Sequence, residues 1–160
     1  EGTQFGPLIH PRRIAEMQGL VDDALACGAR LACGGTRLAR PGNFYAPTVI
    51  EGAPLAARVQ REEPFGPIAL PDVFDDIDEA IARANALPYA LAAYAFTRDL
   101  ALAHRLGQDL EAGMVGINHF GVSQPETPFG GLKESGLGQE SGLEGLLGYT
   151  EVKLVSVAAP

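Results

Sequence analysis

The sequence predicts an α/β protein built on a parallel sheet of βαβ units. From Ile68 to Asn118 the chain alternates strand, helix, strand, helix, strand, the order that builds parallel sheets through helical crossovers, which are right-handed. Glycine is concentrated behind this run: eleven of the 20 glycines lie between Gly107 and Gly148. Glycine loses more backbone entropy on folding than any other residue. Clustering it beside Phe129 and Lys133 therefore predicts a backbone path that side chains would obstruct.

Each element has its own local reason. Ile14, Met17, Val21 and Leu25 recur at spacings of three and four, which predicts an amphipathic helix from Pro11. Gly28 is its stop signal. Arg30 to Cys33 reads as a short strand ending at Gly34-Gly35, and Phe44 to Ile50 as a second extended run. Pro54 to Glu63 reads as a short helix that Pro64 ends. Ile68 to Phe74 is mostly apolar, and Pro71 inside it predicts an edge position or a bulge. Asp75 or Asp76 caps a helix with Ile77, Ala80, Ile81 and Ala84 on one face. Leu91 to Thr97 reads as a buried strand. Asp99 opens a helix with Leu102, Ala103, Leu106 and Leu110 inward, and Met114 to Asn118 is the next strand. Ser141 to Leu147 carries a helix signal, and Val152 to Val157 alternates like a closing strand.

With 160 residues the chain has the size of one ordinary domain. The net charge of −8 argues against nucleic acid, whose binding relies on Lys and Arg neutralising phosphates. It equally gives no attraction to anionic lipid. No apolar run approaches the roughly 20 residues of a membrane span. The first five residues, Glu1 to Phe5, lack the basic-then-apolar order of an export signal. Two cysteines, Cys27 and Cys33, do not make a disulfide framework, so a reducing cytoplasm is the expected location.

Few residues offer reactive chemistry. Cys27 falls at the end of the first helix and Cys33 in a short strand. Neither has a neighbour that would activate a thiolate, so both read as small buried hydrophobes. His10, His104 and His119 are far apart in sequence, and no metal-ligand spacing occurs. His104 reads as a surface residue of its helix, whereas His119 follows a strand end beside the Gly-rich loop. Gly136-x-Gly138 is no dinucleotide fingerprint, because no strand leads into it and Ser141 stands where the third glycine belongs. Lys133 does not complete a P-loop. That leaves Glu62-Glu63-Pro64-Phe65-Gly66-Pro67, a corner stiffened by proline and turned by glycine. Such a corner can present one carboxylate to a ribose diol, or it can be a solvated acidic turn.

At this point the chain resembles an aldehyde dehydrogenase. Glu62 to Pro67 is similar to the family's Glu-Glu-x-Phe-Gly-Pro motif. Asp78-Glu79-Ala80-Ile81 with Ala84-Asn85, Ala92 through Asp99, and Ala112-Gly113 to Asn118 match its helix and strand motifs. Pro128-Phe129-Gly130-Gly131-x-Lys133-x-Ser135-Gly136 matches its hallmark loop, and Phe5 to Ile9 with Cys33-Gly34-Gly35 also fit. The motifs occur in the family's order from about Phe5 to Val157. Gln139 departs from the arginine usual before Glu140, and Ala90 from the glycine usual after Tyr89.

The resemblance implies NAD- or NADP-dependent oxidation of an aldehyde, in which a cysteine thiolate attacks the carbonyl and water later cleaves the thioester. It implies that Glu63 hydrogen-bonds the nicotinamide ribose, that Phe65 packs against the nicotinamide end, and that Phe129 lines the aldehyde channel. Lys133 and the glycines shape the active-site loop. Ser123 falls at a channel position where a hydroxyl resembles the semialdehyde dehydrogenases, implying an ω-oxo acid such as succinate semialdehyde. The family's Gly-Gln-x-Cys nucleophile, Glu-Leu-Gly-Gly-Lys base and dinucleotide-binding domain do not occur here, so no catalytic residue is expected in this chain. The expected organisation is the C-terminal part of the catalytic domain over 1–119, the active-site loop over 120–148, and an oligomerisation strand and tail over 149–160 that pairs between identical subunits. The alternative is a non-catalytic module that serves as an assembly partner.

Overall fold

The computed structural model describes residues 5–159; Glu1–Gln4, on which the expectation about an export signal mostly rests, lie outside them. The chain divides into two compact units, Glu1–Val73 and Phe74–Pro160.

The first unit opens with helix α1, Pro11–Ala26, capped by His10, whose ring Nδ1 accepts from the Arg12 N–H at 3.2 Å. Its buried stripe is Met17, Leu20, Val21 and Ala24. The expected face is thus turned slightly: Leu25 is exposed, and Leu20 and Ala24 point inward instead. Gly28 ends the helix with φ of +95°, a backbone that glycine adopts without steric cost. Strand β1, Arg30–Cys33, pairs antiparallel with β2, Thr48–Glu51, which pairs parallel with β3, Ile68–Ala69. Tyr45, Ile50, Ala57 and Val59 complete the core around α1. Buried Thr48 is fully satisfied: its Oγ1 donates to the Ala46 carbonyl at 2.8 Å and accepts from the Gly35 N–H at 2.9 Å.

Two expectations shrink in this unit. The helix expected over Pro54 to Glu63 is only a 3-10 turn, Arg58–Gln60. The run from Ile68 to Phe74 pairs over two residues, at the sheet edge. Pro71 lies beyond the ladder, which it cannot join because it has no N–H.

The second unit contains α2, Ile77–Ala84, and α3, Leu100–Asp109. They are capped by Asp76 and Asp99, whose side chains accept from Asp78 N and from Ala101 N and Leu102 N. Strand β5, Ala92–Ala95, pairs parallel with β6, Met114–Ile117, and α3 is the crossover between them. Strand β4, Tyr89–Ala90, pairs antiparallel with β7, Leu132–Lys133. Helix α4 spans Gly142–Leu147.

The α/β class with parallel pairing holds, but the single sheet running from Ile68 to Asn118 does not form. β3 completes a mixed three-stranded sheet, while β5 and β6 make a separate pair. α2 therefore links strands of different sheets. The segment Leu91 to Thr97, expected to be buried, is half-exposed, with Tyr94 and Phe96 open to solvent, because a two-stranded sheet leaves flanks without neighbours. Val152 to Val157 forms no strand, and its apolar side chains are exposed. Alternation supplies a face, but a strand also needs a partner for its N–H and C=O groups. No helix among the described residues is long and apolar enough to cross a membrane.

Candidate active site

The acidic corner of the first unit splits its two carboxylates. Glu62 receives both Nε and Nη2 of Arg58, at 2.8 and 2.9 Å. This hydrogen-bonded pair holds its carboxyl below the ordinary range. Glu63, next in sequence, is exposed and has no protein partner among the described residues. Phe65 follows with φ of +42°, a left-handed backbone uncommon for a bulky residue, and the residue is 73% exposed. Beyond it, Gly66 passes so close to α1 that a Cβ there would run into the Met17 sulfur. The corner thus offers a free carboxylate and an open aromatic face on a braced turn. A ribose diol and a flat heteroaromatic ring are a chemical fit for that pair.

In the second unit, β5 and β6 run parallel and end together, Ala95 opposite Ile117. Ligands of open α/β sheets bind outside such carboxyl ends. Asn118 leaves β6 with φ of +61°, and its side chain exchanges hydrogen bonds with the Thr97 backbone. The loop that follows carries His119, whose Nδ1 accepts from the Gly121 N–H at 3.1 Å, and Ser123, exposed. Phe129 is half-buried and held by two backbone hydrogen bonds with Glu140, both 2.7 Å.

The Gly-rich loop is fastened by three devices. Lys133, with φ of +51°, donates from Nζ to the carbonyls of Asn85 at 2.8 Å and Leu87 at 3.3 Å, and pairs with Glu111 at 2.6 Å. Ser135 Oγ accepts from the Ala90 N–H at 2.8 Å. Gly113 lies against the loop so tightly that a Cβ would enter the Gly130 carbonyl oxygen. A pocket of about 270 Å³ results, lined by Leu91, Phe129, Ser135, Leu137 and Gln139 among others. Of the four non-glycine residues with positive φ among the described residues, three (Phe65, Asn118 and Lys133) sit in these motif segments. Strained backbone persists where its surroundings over-determine it.

Other candidates fare differently. Cys27 and Cys33 are both exposed, which corrects their reading as buried hydrophobes: each falls at the solvent-facing end of its element. His104 is on the surface, as expected. No cluster of three or more His, Cys, Asp or Glu among the described residues could hold a metal ion. A groove of about 690 Å³ between α2, α3 and β5 is lined by apolar residues such as Ile77, Ile81, Tyr94 and Leu106. Asp76, at its rim, is committed to capping α2.

The sequence reading missed the residues that brace the motifs. The Arg58–Glu62 pair was legible as an i,i+4 spacing. Arg13, which donates to the Pro64 carbonyl at 2.7 Å across 51 positions, and Asn85, which ties Asp109 and Glu111 to the end of α2, have no local signal.

The aldehyde dehydrogenase family model matches residues 1–155. Succinate-semialdehyde dehydrogenase (NADP(+)) GabD of Escherichia coli (strain K12) is 43% identical over 156 residues, covering 98% of this chain and 32% of the relative. Glutarate-semialdehyde dehydrogenase of Pseudomonas putida is 40% identical over 158 residues, covering 99% and 32%. The crystal structure of an E. coli NADP dependent enzyme superposes with a TM-score of 0.92 at 44% identity, covering 96% of this chain and 32% of that one. The chain thus spans about a third of the length of the relatives it matches. With its motifs, their geometry and these likenesses in agreement, the chain belongs to the aldehyde dehydrogenase family.

Proposed function

We propose that this chain supplies the cofactor-facing corner and the aldehyde-facing loop of a subunit that oxidises an ω-oxo acid, such as succinate semialdehyde, with NAD or NADP. The observation that carries this reading is the division of labour at the corner. Arg58 takes Glu62 and leaves Glu63 without a partner among the described residues, beside an exposed Phe65. Glu63 would accept from the ribose hydroxyls, and Phe65 would stack on the nicotinamide end. When bound, the nicotinamide supplies the hydride acceptor. Phe129 would form an apolar wall, and the Ser123 hydroxyl would donate to the carboxylate at the far end of the substrate. Two relatives whose names specify semialdehydes support the substrate class.

The nucleophile and general base are not among these residues: neither cysteine lies in a nucleophile motif or beside an activating base. The 160 residues alone would therefore neither oxidise aldehydes nor bind NAD tightly. The subunit would act in the cytoplasm as a homo-oligomer, its exposed Val152, Leu154, Val155 and Val157 pairing with another copy. Those same side chains favour the second reading, a non-catalytic assembly module.

The test uses a full-length subunit carrying this sequence. Ser123→Ala should raise KM for an acid semialdehyde by about tenfold, the worth of one charge-assisted hydrogen bond, and leave KM for a plain aliphatic aldehyde nearly unchanged. Equal effects on both would sink the substrate assignment. Aldehyde-dependent NADH production by the isolated 160 residues, abolished by Glu63→Gln, would overturn their expected inactivity.

A further inference from the structure

We propose that Arg13, on helix α1, is the positioning residue of the nicotinamide-facing corner; this rests on the reading of Glu63 and Phe65 given above. The Arg13 Nη2 donates to the Pro64 carbonyl at 2.7 Å. That carbonyl belongs to the peptide plane immediately before Phe65, so fixing it fixes one of the two planes that define the left-handed Phe65 backbone. Beyond Phe65, main-chain bonds hold the next two carbonyls, with Ile68 N–H donating to the Gly66 carbonyl at 2.9 Å and Thr48 N–H to the Pro67 carbonyl at 2.8 Å, and the Met17 side chain packs against Gly66. The Pro64 carbonyl, by contrast, is held by a side-chain donor.

The same guanidinium lies 5.5 Å from the Phe65 ring centroid, within cation–π range. It therefore supports one side of the ring and leaves the rest open. Glu16, one turn along α1, pairs with the Arg13 Nη1 and aims the group. The arginine side chain is only 20% exposed, so its hydrogen bond to Pro64 is shielded from solvent. Upstream, Arg58 takes Glu62 by a separate pair. Glu63 therefore stands between two arginine clamps, and neither contacts its carboxylate.

A lysine could replace the charge but not the fork that serves the Pro64 carbonyl, Glu16 and the Phe65 ring together. A methionine keeps much of the apolar stem and loses both donors. Arg13 thus acts through peptide orientation, and its loss would spare the aldehyde end of the reaction.

The experiment compares wild type, Arg13→Met and Arg13→Lys in a full-length subunit carrying this sequence, with Glu63→Gln and Phe65→Ala as references. Arg13→Met should speed amide exchange at Phe65 and Gly66 and raise KM for the nicotinamide nucleotide about three- to tenfold, the range of one partly shielded charge-assisted hydrogen bond. KM for the aldehyde and Tm should stay near wild type. Arg13→Lys should recover part of both effects, and it carries the test if the methionine variant folds poorly. Unchanged exchange and unchanged nucleotide KM in the arginine variants, with both references impaired, would overturn the role of Arg13 while leaving the corner's assignment intact. Unchanged nucleotide KM in Glu63→Gln and Phe65→Ala would overturn that assignment, and the role of Arg13 with it.

Discussion

Asn118 and Thr97 exchange two hydrogen bonds: the Asn118 Oδ1 accepts from the Thr97 N–H, and its Nδ2 donates to the Thr97 carbonyl, both at 2.9 Å. One side chain thereby reproduces a peptide's donor and acceptor and prolongs the β5–β6 ladder past its last backbone pair. Asparagine suits the place twice over. Its amide matches a peptide group, and it tolerates the left-handed backbone that turns the chain toward Ser123.

Asn118→Gly should therefore cost about 1–2 kcal/mol, since it removes both bonds and keeps the backbone freedom. Asn118→Ala should cost about 1 kcal/mol more, because alanine resists positive φ. Urea unfolding of the pair against wild type checks both the size and the order.

Gly113→Ala should displace the Gly-rich loop. Its Cβ would meet the Gly130 carbonyl oxygen and lie 2.9 Å from the carbonyl carbon, both main-chain atoms that cannot rotate aside. A cost of about 2–3 kcal/mol is expected from such overpacking. Faster amide exchange at Phe129 and Glu140, whose mutual hydrogen bonds close the loop, would accompany it. Unchanged exchange there would show that the loop does not depend on this approach.

Tyr45 sets an alkaline limit on the first unit. Burial, and secondarily the charge of Asp22, push its phenol up to about 12 from an ordinary 10.0. The folded chain therefore keeps this proton at pH values where the unfolded chain has lost it. The stabilisation is complete below pH 10 and declines as pH rises through 12. Tyr45→Phe should flatten this decline at the expense of the 3.1 Å hydrogen bond to Gln18. Urea midpoints of the two proteins at pH 9 and pH 11.5 measure it.

The tail predicts self-association. Val152 and Leu154 are 105% and 90% exposed, with Val155 and Val157 also open to solvent, and apolar side chains gathered in one exposed segment favour association. Sedimentation of the chain truncated after Thr150 should show a lower average mass than the intact chain at equal concentration. Identical masses would remove the tail from the interface.

Local signals were the most legible part of the sequence. Pro11, Gly28, Asp75 or Asp76, and Asp99 mark helix ends because a cap is decided within four residues; the structure gives the second cap to Asp76. The motifs likewise pick out segments whose backbone turns to positive φ, at Phe65, Asn118 and Lys133. Pairing was less legible, because a strand's neighbour lies elsewhere in the chain. β3 reads like the first strand of a βαβ series but joins β2, and the Gly-rich tail hides β7, a two-residue strand with no alternation to reveal it. Lys133 reads as a loop residue, whereas its ammonium closes over the end of α2, 48 positions away from Asn85.

The contact between Gly113 and Gly130 joins main chain to main chain with no side chain between. The spacing there is set by the missing Cβ of Gly113 and not by the shape of a packed side chain. On the proposed reading of Ser123 and Phe129, substitutions there would change selectivity while this main-chain joint stays in place. A family that shares one architecture across many aldehydes has use for such a separation between what is inherited and what varies.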